Sequence, residues 1–470
     1  MSALTGHNNV FTNFARKLTP AFPPKRRGTR PSTGAGMTFF VGMILLLTVN
    51  PAYSENLTFT KDDRVLIIAP HPDDEAIGCA GAIQSALGAG AKVKVVYLTH
   101  GESNELSALF HQKRPMITKV DFVKIGRLRK REALKAMSLL QVPEKDLIFF
   151  GYPDMGTMPI WERFWTSKKP FRGFFTRINK VIHEDDFSYG KYYRGYNIVH
   201  DFEKVLLELR PTHVFVTAPT DQNLDHQAAS LFLKVALLNL EGRLEKIPSV
   251  HLYLVHEHDW PKPRKLAPSL SLDPPASKES ARLQWARHEL SPEQVQKKEQ
   301  SLLSYESQMS YSKNFLLSFV RTNEIYAAPP REIIATLPGN SEQFWEAESA
   351  ASLGVEYAAN DKELFISIPI VYAIDELGTF STHVFSYKKS MPFTQMPKLK
   401  FRLFGGKLYI KDGARSVSDP GIRFKVDKKR LFIRIPRKSL KNPETLFVST
   451  KTAKNRLAFD FGVWRVIELQ

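Results

Sequence analysis

Hydrophobic positions fall into two textures along the chain. Between Asn56 and about Tyr326, apolar runs with little alternation, Val65–Pro70, Lys92–Leu98, Asp146–Tyr152, His213–Ala218 and Val250–His256, take turns with helical patterns such as Phe122–Leu140 and Asn197–Leu209. Unbroken apolar runs read as strands covered on both faces. Their alternation with helices predicts an α/β domain, a Rossmann-like and mostly parallel sheet with helices on both sides. Pro261–Ser280 reads as an exposed loop and Gln284–Phe319 as a helical region. Beyond Ala327-Ala328-Pro329-Pro330 the texture changes to short runs, Leu364–Ile368, Lys398–Leu403, Lys407–Ile410, Ile422–Val426, Leu431–Ile435 and Thr445–Val448, separated by turns such as Asp412-Gly413 and Asp419-Pro420-Gly421. Regular short strands with hairpin signals predict an all-β sandwich. The expected boundaries are 55–330 for the α/β domain and 331–470 for the sandwich.

The first 54 residues fit neither texture. Residues 1–36 are basic, free of acids and rich in Pro, Gly, Ser and Thr, a composition that cannot pack a core. Phe39–Val49 is then an apolar run of about eleven residues, the length of a secretory segment rather than of a membrane-spanning helix. Small residues at Ala52 and Ser54 suggest cleavage before Glu55, which predicts export to a bacterial periplasm or cell surface. Left uncleaved, residues 37–53 would act as a membrane anchor; Met37 offers an alternative start. Cys79 is the sole cysteine, so no intramolecular disulfide tests that expectation.

Charge adds one constraint. The formal net charge is +18, of which the first 54 residues supply six. The excess on the remainder favours anionic partners, acidic polysaccharide or lipid phosphate, and is equally what a solvated basic surface would carry. No nucleic-acid module is present, no protein partner is indicated, and association with a membrane surface is compatible with the charge.

The candidate chemistry lies where the first strand ends: His71-Pro72-Asp73-Asp74-Glu75, followed by what reads as a small-residue turn, Gly78-Cys79-Ala80-Gly81. Pro72 cannot continue a strand, so these side chains sit past a carboxyl end, where open α/β sheets place their ligands. An imidazole and a carboxylate three residues apart can converge on one cation, and that donor pair suits Zn²⁺, with other divalent first-row metals possible. Of two adjacent carboxylates in a cleft, one as ligand and one as proton acceptor is a stable division. The alternative is that Asp73, Asp74 and Glu75 only cap the next helix. A second strand end, His213–Ala218, runs into Asp221-Gln222-Asn223-Leu224-Asp225-His226.

These stretches resemble the LmbE/PIG-L family of Zn²⁺-dependent N-deacetylases, whose signatures are A-H-P-D-D-E and a later D-x-x-x-D-H. The resemblance implies His71, Asp74 and His226 as metal ligands and Asp73 as general base. Thr99-His100-Gly101-Glu102, Arg129 with Glu132, Gly151-Tyr152-Pro153-Asp154 and Tyr305-Glu306-Ser307-Gln308 resemble further family marks, over approximately residues 62–326. By the same carry-over Arg129 and Asp154 contact substrate. Asp225 orients a ligand, and Asn223 stands where many members carry a histidine that assists the oxyanion or the leaving amine. An amide donates a hydrogen bond but shuttles no proton, which leaves His100 or His256 as stand-ins. The sandwich loosely resembles DOMON-like carbohydrate-binding modules, either holding glycan or acting as a passive cap.

The sequence therefore predicts an exported, metal-dependent amidase that removes acetyl from an N-acetylglucosamine-type sugar of a glycan or glycolipid. A different sugar amide, or a non-catalytic glycan-binding protein, are the alternatives.

Overall fold

The computed structural model describes residues 56–103, 118–334, 354–369, 378–404, 406–426, 430–454, 457–460 and 462–469; the expected export segment lies outside them. Within the α/β region the strands are β1 (Arg64–Ala69), β2 (Lys92–Thr99), β3 (Leu147–Tyr152), β4 (His213–Thr217), β5 (Ser249–Tyr253), β6 (Trp285–Glu289) and β7 (Asn323–Ala327). They form one sheet in the order β3-β2-β1-β4-β5-β7-β6. The first five are parallel, β7 runs against them, and β6, antiparallel to β7 at the edge, returns to their direction. Strand β1 is buried from Val65 through Ala69, as a central strand covered on both faces requires. Strand order reverses at β1, which has β2 on one side and β4 on the other. The crevice outside the carboxyl ends of β1 and β4 is thus the topological switch point.

The helices are α1 (Asp74–Gly88), α2 (Lys119–Leu139), α3 (Thr157–Arg163), α4 (Gly195–Leu209), α5 (Leu224–Asn239), α6 (Pro292–Leu303) and α7 (Glu306–Leu317). Two starts are written in the sequence as capping boxes, Thr118 with Asp121 and Ser291 with Gln294. Two expectations need correction. Gly78–Gly81 is not a turn but lies inside α1. A Cβ at Gly78 would collide with the Tyr253 ring, and one at Gly81 with Leu290, so the glycines let α1 approach its neighbours closely. The region expected to be wholly helical from Gln284 opens instead with β6, whose side chains alternate between half-buried or exposed and buried, and which pairs antiparallel with β7.

After β8 (Glu332–Ile334) the chain builds two layers, antiparallel except that β8 itself pairs parallel with the last strand of one of them. One is β9 (Glu356–Ala359), β10 (Glu363–Pro369), β15 (Arg423–Val426) and β16 (Arg430–Pro436). The other joins β8 to β11 (Gly378–Tyr387), β12 (Lys398–Phe404), β13 (Lys407–Asp412), β14 (Arg415–Ser416), β17 (Thr445–Lys454), β18 (Leu457–Asp460) and β19 (Arg465–Leu469). Leu364, Ile366, Val384, Phe401, Ile433 and Val448 fill the space between the layers. The outer face of the larger layer docks on the α/β region: Phe385, Phe393, Phe447 and Trp464 surround Trp161 of α3. Strand β11, central in this layer, carries Ser, Thr and His among its apolar residues and had no clear apolar run in the sequence. Among the described residues no helix is long and apolar enough to cross a membrane.

Candidate metal centre and active site

The switch-point crevice gathers what the two strand ends deliver. His71 and Asp74 come from the β1–α1 junction and His226 from the first turn of α5, after β4. His71 Nδ1 lies 3.2 Å from Asp74 Oδ2, His226 Nε2 lies 3.2 Å from the same oxygen, and the two imidazole nitrogens are 3.2 Å apart. All three residues are buried.

The other ring nitrogens decide what this triangle is. His226 Nδ1 faces Asp221 Oδ2 at 3.2 Å, and His71 Nε2 faces Asp154 Oδ1 at 3.2 Å and Asp225 Oδ2 at 3.5 Å. Each imidazole donates its N–H outward to a carboxylate, which leaves the inward nitrogens as lone pairs. With neutral rings, two lone-pair nitrogens and a carboxylate oxygen converge here, a donor set that a cation would complete in place of protons. Bonds of about 2.0–2.1 Å in a tetrahedral shell put neighbouring donors about 3.3 Å apart, so the spacing and the N₂O donor set fit Zn²⁺. The outer carboxylates also make the rings strong bases. Burial works against charge, yet Asp154 lifts His71 well above its ordinary value, and Asp221 with Asp74 lifts His226 to about 9.

Asp73 stands beside the triangle in a left-handed conformation, φ 123°, which side-chain-bearing residues rarely adopt. Arg129 helps to hold it there: Nη2 donates to Pro72 O at 2.6 Å and Asp73 Oδ2 at 3.1 Å, and Nη1 to Gly101 O at 2.8 Å. Gly101, at φ 62°, has no room for a Cβ against that guanidinium. Burial pushes the Asp73 carboxyl up to about 7, against the pull of Arg129. Behind it, Glu75 accepts from Asp73 N at 3.1 Å and from the Tyr305 hydroxyl, and Ser307 N donates to Glu132 at 2.7 Å. The marks around residues 129–132 and 305–308 therefore meet in space.

The triangle opens into a cavity of about 610 Å³ lined by His71, Asp73, Asp74, Arg129, Asp154 and Asn223, with Phe175, His256, Arg264, Gln308, Tyr311 and Phe315 around its walls. A second cavity of about 310 Å³, between α5 and the sandwich, contains none of the site residues. Asn223 caps α5, its Oδ1 accepting from Asp225 N at 2.8 Å. His256 packs edge-on to His226 and flat on Phe315, and burial holds its pKa down at about 4.

Some expected positions take a different place. Arg129 and Asp154 both line the cavity, but their hydrogen bonds run to the protein: Arg129 to Asp73, and Asp154 to His71 and to Ser103 N at 2.8 Å. Asp225 receives the backbone N–H of Met155 at 2.6 Å and of Thr157 at 3.0 Å. His100 is not in the cavity. Its Nε2 pairs with Asp186 at 2.8 Å and its ring stacks on Phe149, in a separate cleft under α2. Asp221 had no assigned role, yet it orients His226 and accepts from Val255 N and His256 N, each at 3.0 Å. Its place five residues before His226 was the available signal. Between α3 and α4, Phe175 reaches the cavity, whereas Trp165 and Phe171 are core, as is Trp161 of α3.

Comparison with known proteins follows this geometry. Residues 66–237 match the family model PIG-L, described as GlcNAc-PI de-N-acetylase. A comparison with curated proteins gave no match. Among solved structures, the conserved protein TT1542 from Thermus thermophilus is similar at 19% identity, over 59% of this chain and 99% of that one, with a TM-score of 0.35. The N,N'-diacetylchitobiose deacetylase from Pyrococcus horikoshii is similar at 18% identity, over 57% and 84%, with a TM-score of 0.36. The teicoplanin deacetylase Orf2 is similar at 18% identity, over 56% and 97%, with a TM-score of 0.35.

Proposed function

Residues 66–237 form a PIG-L family domain, and from that premise we propose that the chain is a divalent-metal-dependent hydrolase that removes acetyl from an N-acetylated amino sugar of an extracytoplasmic glycan or glycolipid. The observation that carries this reading is the triangle of lone-pair donors, His71 Nδ1, Asp74 Oδ2 and His226 Nε2, with a separate carboxyl group, Asp73, at its edge.

Bound by those three residues, Zn²⁺ supplies Lewis acidity to the amide carbonyl and to the attacking water. Asp73 takes the proton of that water as its oxygen attacks the carbonyl carbon. Burial raises this carboxyl group, which makes it a better acceptor for the water's proton than an exposed carboxylate. Asn223 Oδ1 is engaged by the helix, so Nδ2 is the end offered to the cavity, where it donates to the developing oxyanion. The amine needs a proton to leave. His100 is outside the cavity and His256 is neutral at working pH, so Asp73 returns its proton to the nitrogen as the C–N bond breaks. Acetate and the free amino sugar are the products. Export, or anchoring through residues 37–53, is the setting that the apolar run in the sequence supports.

The test is acetate release by purified Glu55–Gln470 protein from a panel of N-acetylated glycans. Release abolished by chelation and restored by Zn²⁺ is the expected result. No release from any of them with stoichiometric metal bound would overturn the assignment.

A further inference from the structure

Among the described residues, the outer face of the larger sandwich layer is covered at one end only. Along β12, Leu399, Phe401 and Leu403 point into the sandwich core, and Leu408 and Ile410 of β13 pack against it. Side chains alternate along a strand, so Lys400, Arg402, Phe404, Lys407, Tyr409 and Lys411 share the opposite face. The register sets them in rows: Lys400 opposite Lys411, Arg402 opposite Tyr409, and Phe404 opposite Lys407. Lys451 joins the same face through Ser381, which pairs with both Arg402 and Lys451. Where this face meets α3 it is buried under Trp161; farther out, Arg402, Lys407 and Lys411 are exposed, and Phe404 and Tyr409 are each 50% exposed.

This arrangement works against the fold's own stability. Like charges directly opposite on neighbouring strands repel, and Lys400 faces Lys411. Among the described residues the acid that reaches this face is Glu162 of α3, which Lys451 holds at 3.0 Å and whose charge also acts on Lys400; Arg402, Lys407 and Lys411 take part in no ion pair, and Arg402 lies 5.7 Å from the centre of the Phe404 ring. Two large rings half exposed among Arg402, Lys407 and Lys411, which have no carboxylate partner, are the complement of a ligand that is both anionic and ring-shaped. Sugar faces pack on aromatic rings, and carboxylates on the sugars satisfy the cations between them.

We propose that the open outer face of β12 and β13 binds an anionic polysaccharide whose sugar rings carry carboxylates. A strand spacing of about 4.8 Å and a same-face repeat of about 6.7 Å make a flat grid of positive charge on the scale of a sugar ring. The surface goes beyond hydrolysis and stands whether or not the deacetylase reading holds. In this reading the sandwich keeps the enzyme on a polymer.

The test is titration of the full chain with polygalacturonate, with its methyl-esterified form as the neutral control, at low and at physiological ionic strength. Binding to the free acid, weakened by salt and absent for the ester, is expected. The double variant Lys407→Gln/Lys411→Gln should bind about tenfold more weakly. Tyr409→Ala should bind about fivefold more weakly at unchanged charge. Neither variant should lower the thermal midpoint, because both sites are exposed. Equal affinity for the ester, or wild-type binding by the lysine variant, would overturn the proposal. Wild-type binding by Tyr409→Ala, or stronger competition by duplex DNA or anionic lipid vesicles at equal charge concentration, would make this a general polyanion surface and contradict the sugar assignment.

Discussion

At the scale of single residues the site depends on which nitrogen of each histidine faces inward, and the outer carboxylates set that. Asp154 holds His71 through Nε2, and Asp221 holds His226 through Nδ1. Replacing Asp154 by Asn keeps the shape but removes the charge that fixes the tautomer. Metal affinity should fall by about 10–100-fold in a competition titration with a chelating dye. Unchanged affinity with a raised KM would return Asp154 to a purely substrate-facing role. His71 and Asp74 were legible as a donor pair because they follow an apolar run, and strand ends are where a parallel sheet presents ligands; His226 joined them through the family resemblance. His100 also follows a strand, but Gly101 turns the chain and Asp186, from an irregular segment with no sequence pattern of its own, captures the ring. Arg129 could be read as a functional residue, but its partner could not, because the bond to Asp73 is tertiary.

At the scale of elements, α1 must be held close to the sheet for His71 and Asp74 to converge with His226. A buried pair does part of this. Lys298 Nζ of α6 donates to Glu324 Oε1 and to Ile77 O, each at 2.7 Å, and Glu324 of β7 also accepts the N–H groups of Gly81 and Ala82. Lys298→Met leaves Glu324 buried without its counter-charge and should cost about 3–5 kcal/mol in urea denaturation. A loss below about 1 kcal/mol would mean that Glu324 is satisfied by the two backbone N–H groups and the Tyr326 hydroxyl. The main strands and helices of the α/β region were legible from periodicity. The glycines of α1 were misread, since Gly78 and Gly81 look like a turn until Tyr253 and Leu290 are seen against them. Strand β6 was missed because Trp285–Glu289 adjoins two genuine helices, and its alternation spans only five residues.

At the scale of the whole molecule, the sandwich and the α/β region share aromatic packing around Trp161, and a lysine is buried in the same contact. Lys398 donates to Met396 O at 3.1 Å and to Phe393 O, with the Trp165 ring 5.0 Å away. Burial holds it down at about 7, well below an unfolded lysine. Between those two values the unfolded chain carries a proton that the folded chain does not, so this group makes stability rise with pH above about 7 and adds no slope below it. Thermal midpoints from pH 7 to 9.5 should rise more steeply in the wild type than in Lys398→Met; parallel curves would contradict the assignment. Two textures in the sequence disclosed two architectures, but not how they dock, because Trp161, Phe385 and Phe447 are indistinguishable in sequence from ordinary core residues. The central claim is that three residues hold a metal while a fourth moves the proton. Metal content and deacetylation measured side by side in Asp73→Ala and His226→Ala test it most directly. Asp73→Ala should keep stoichiometric metal and lose activity by about 10²–10⁴-fold, and His226→Ala should lose both. An Asp73→Ala protein as active as the wild type, or a His226→Ala protein with its metal intact, would contradict the account.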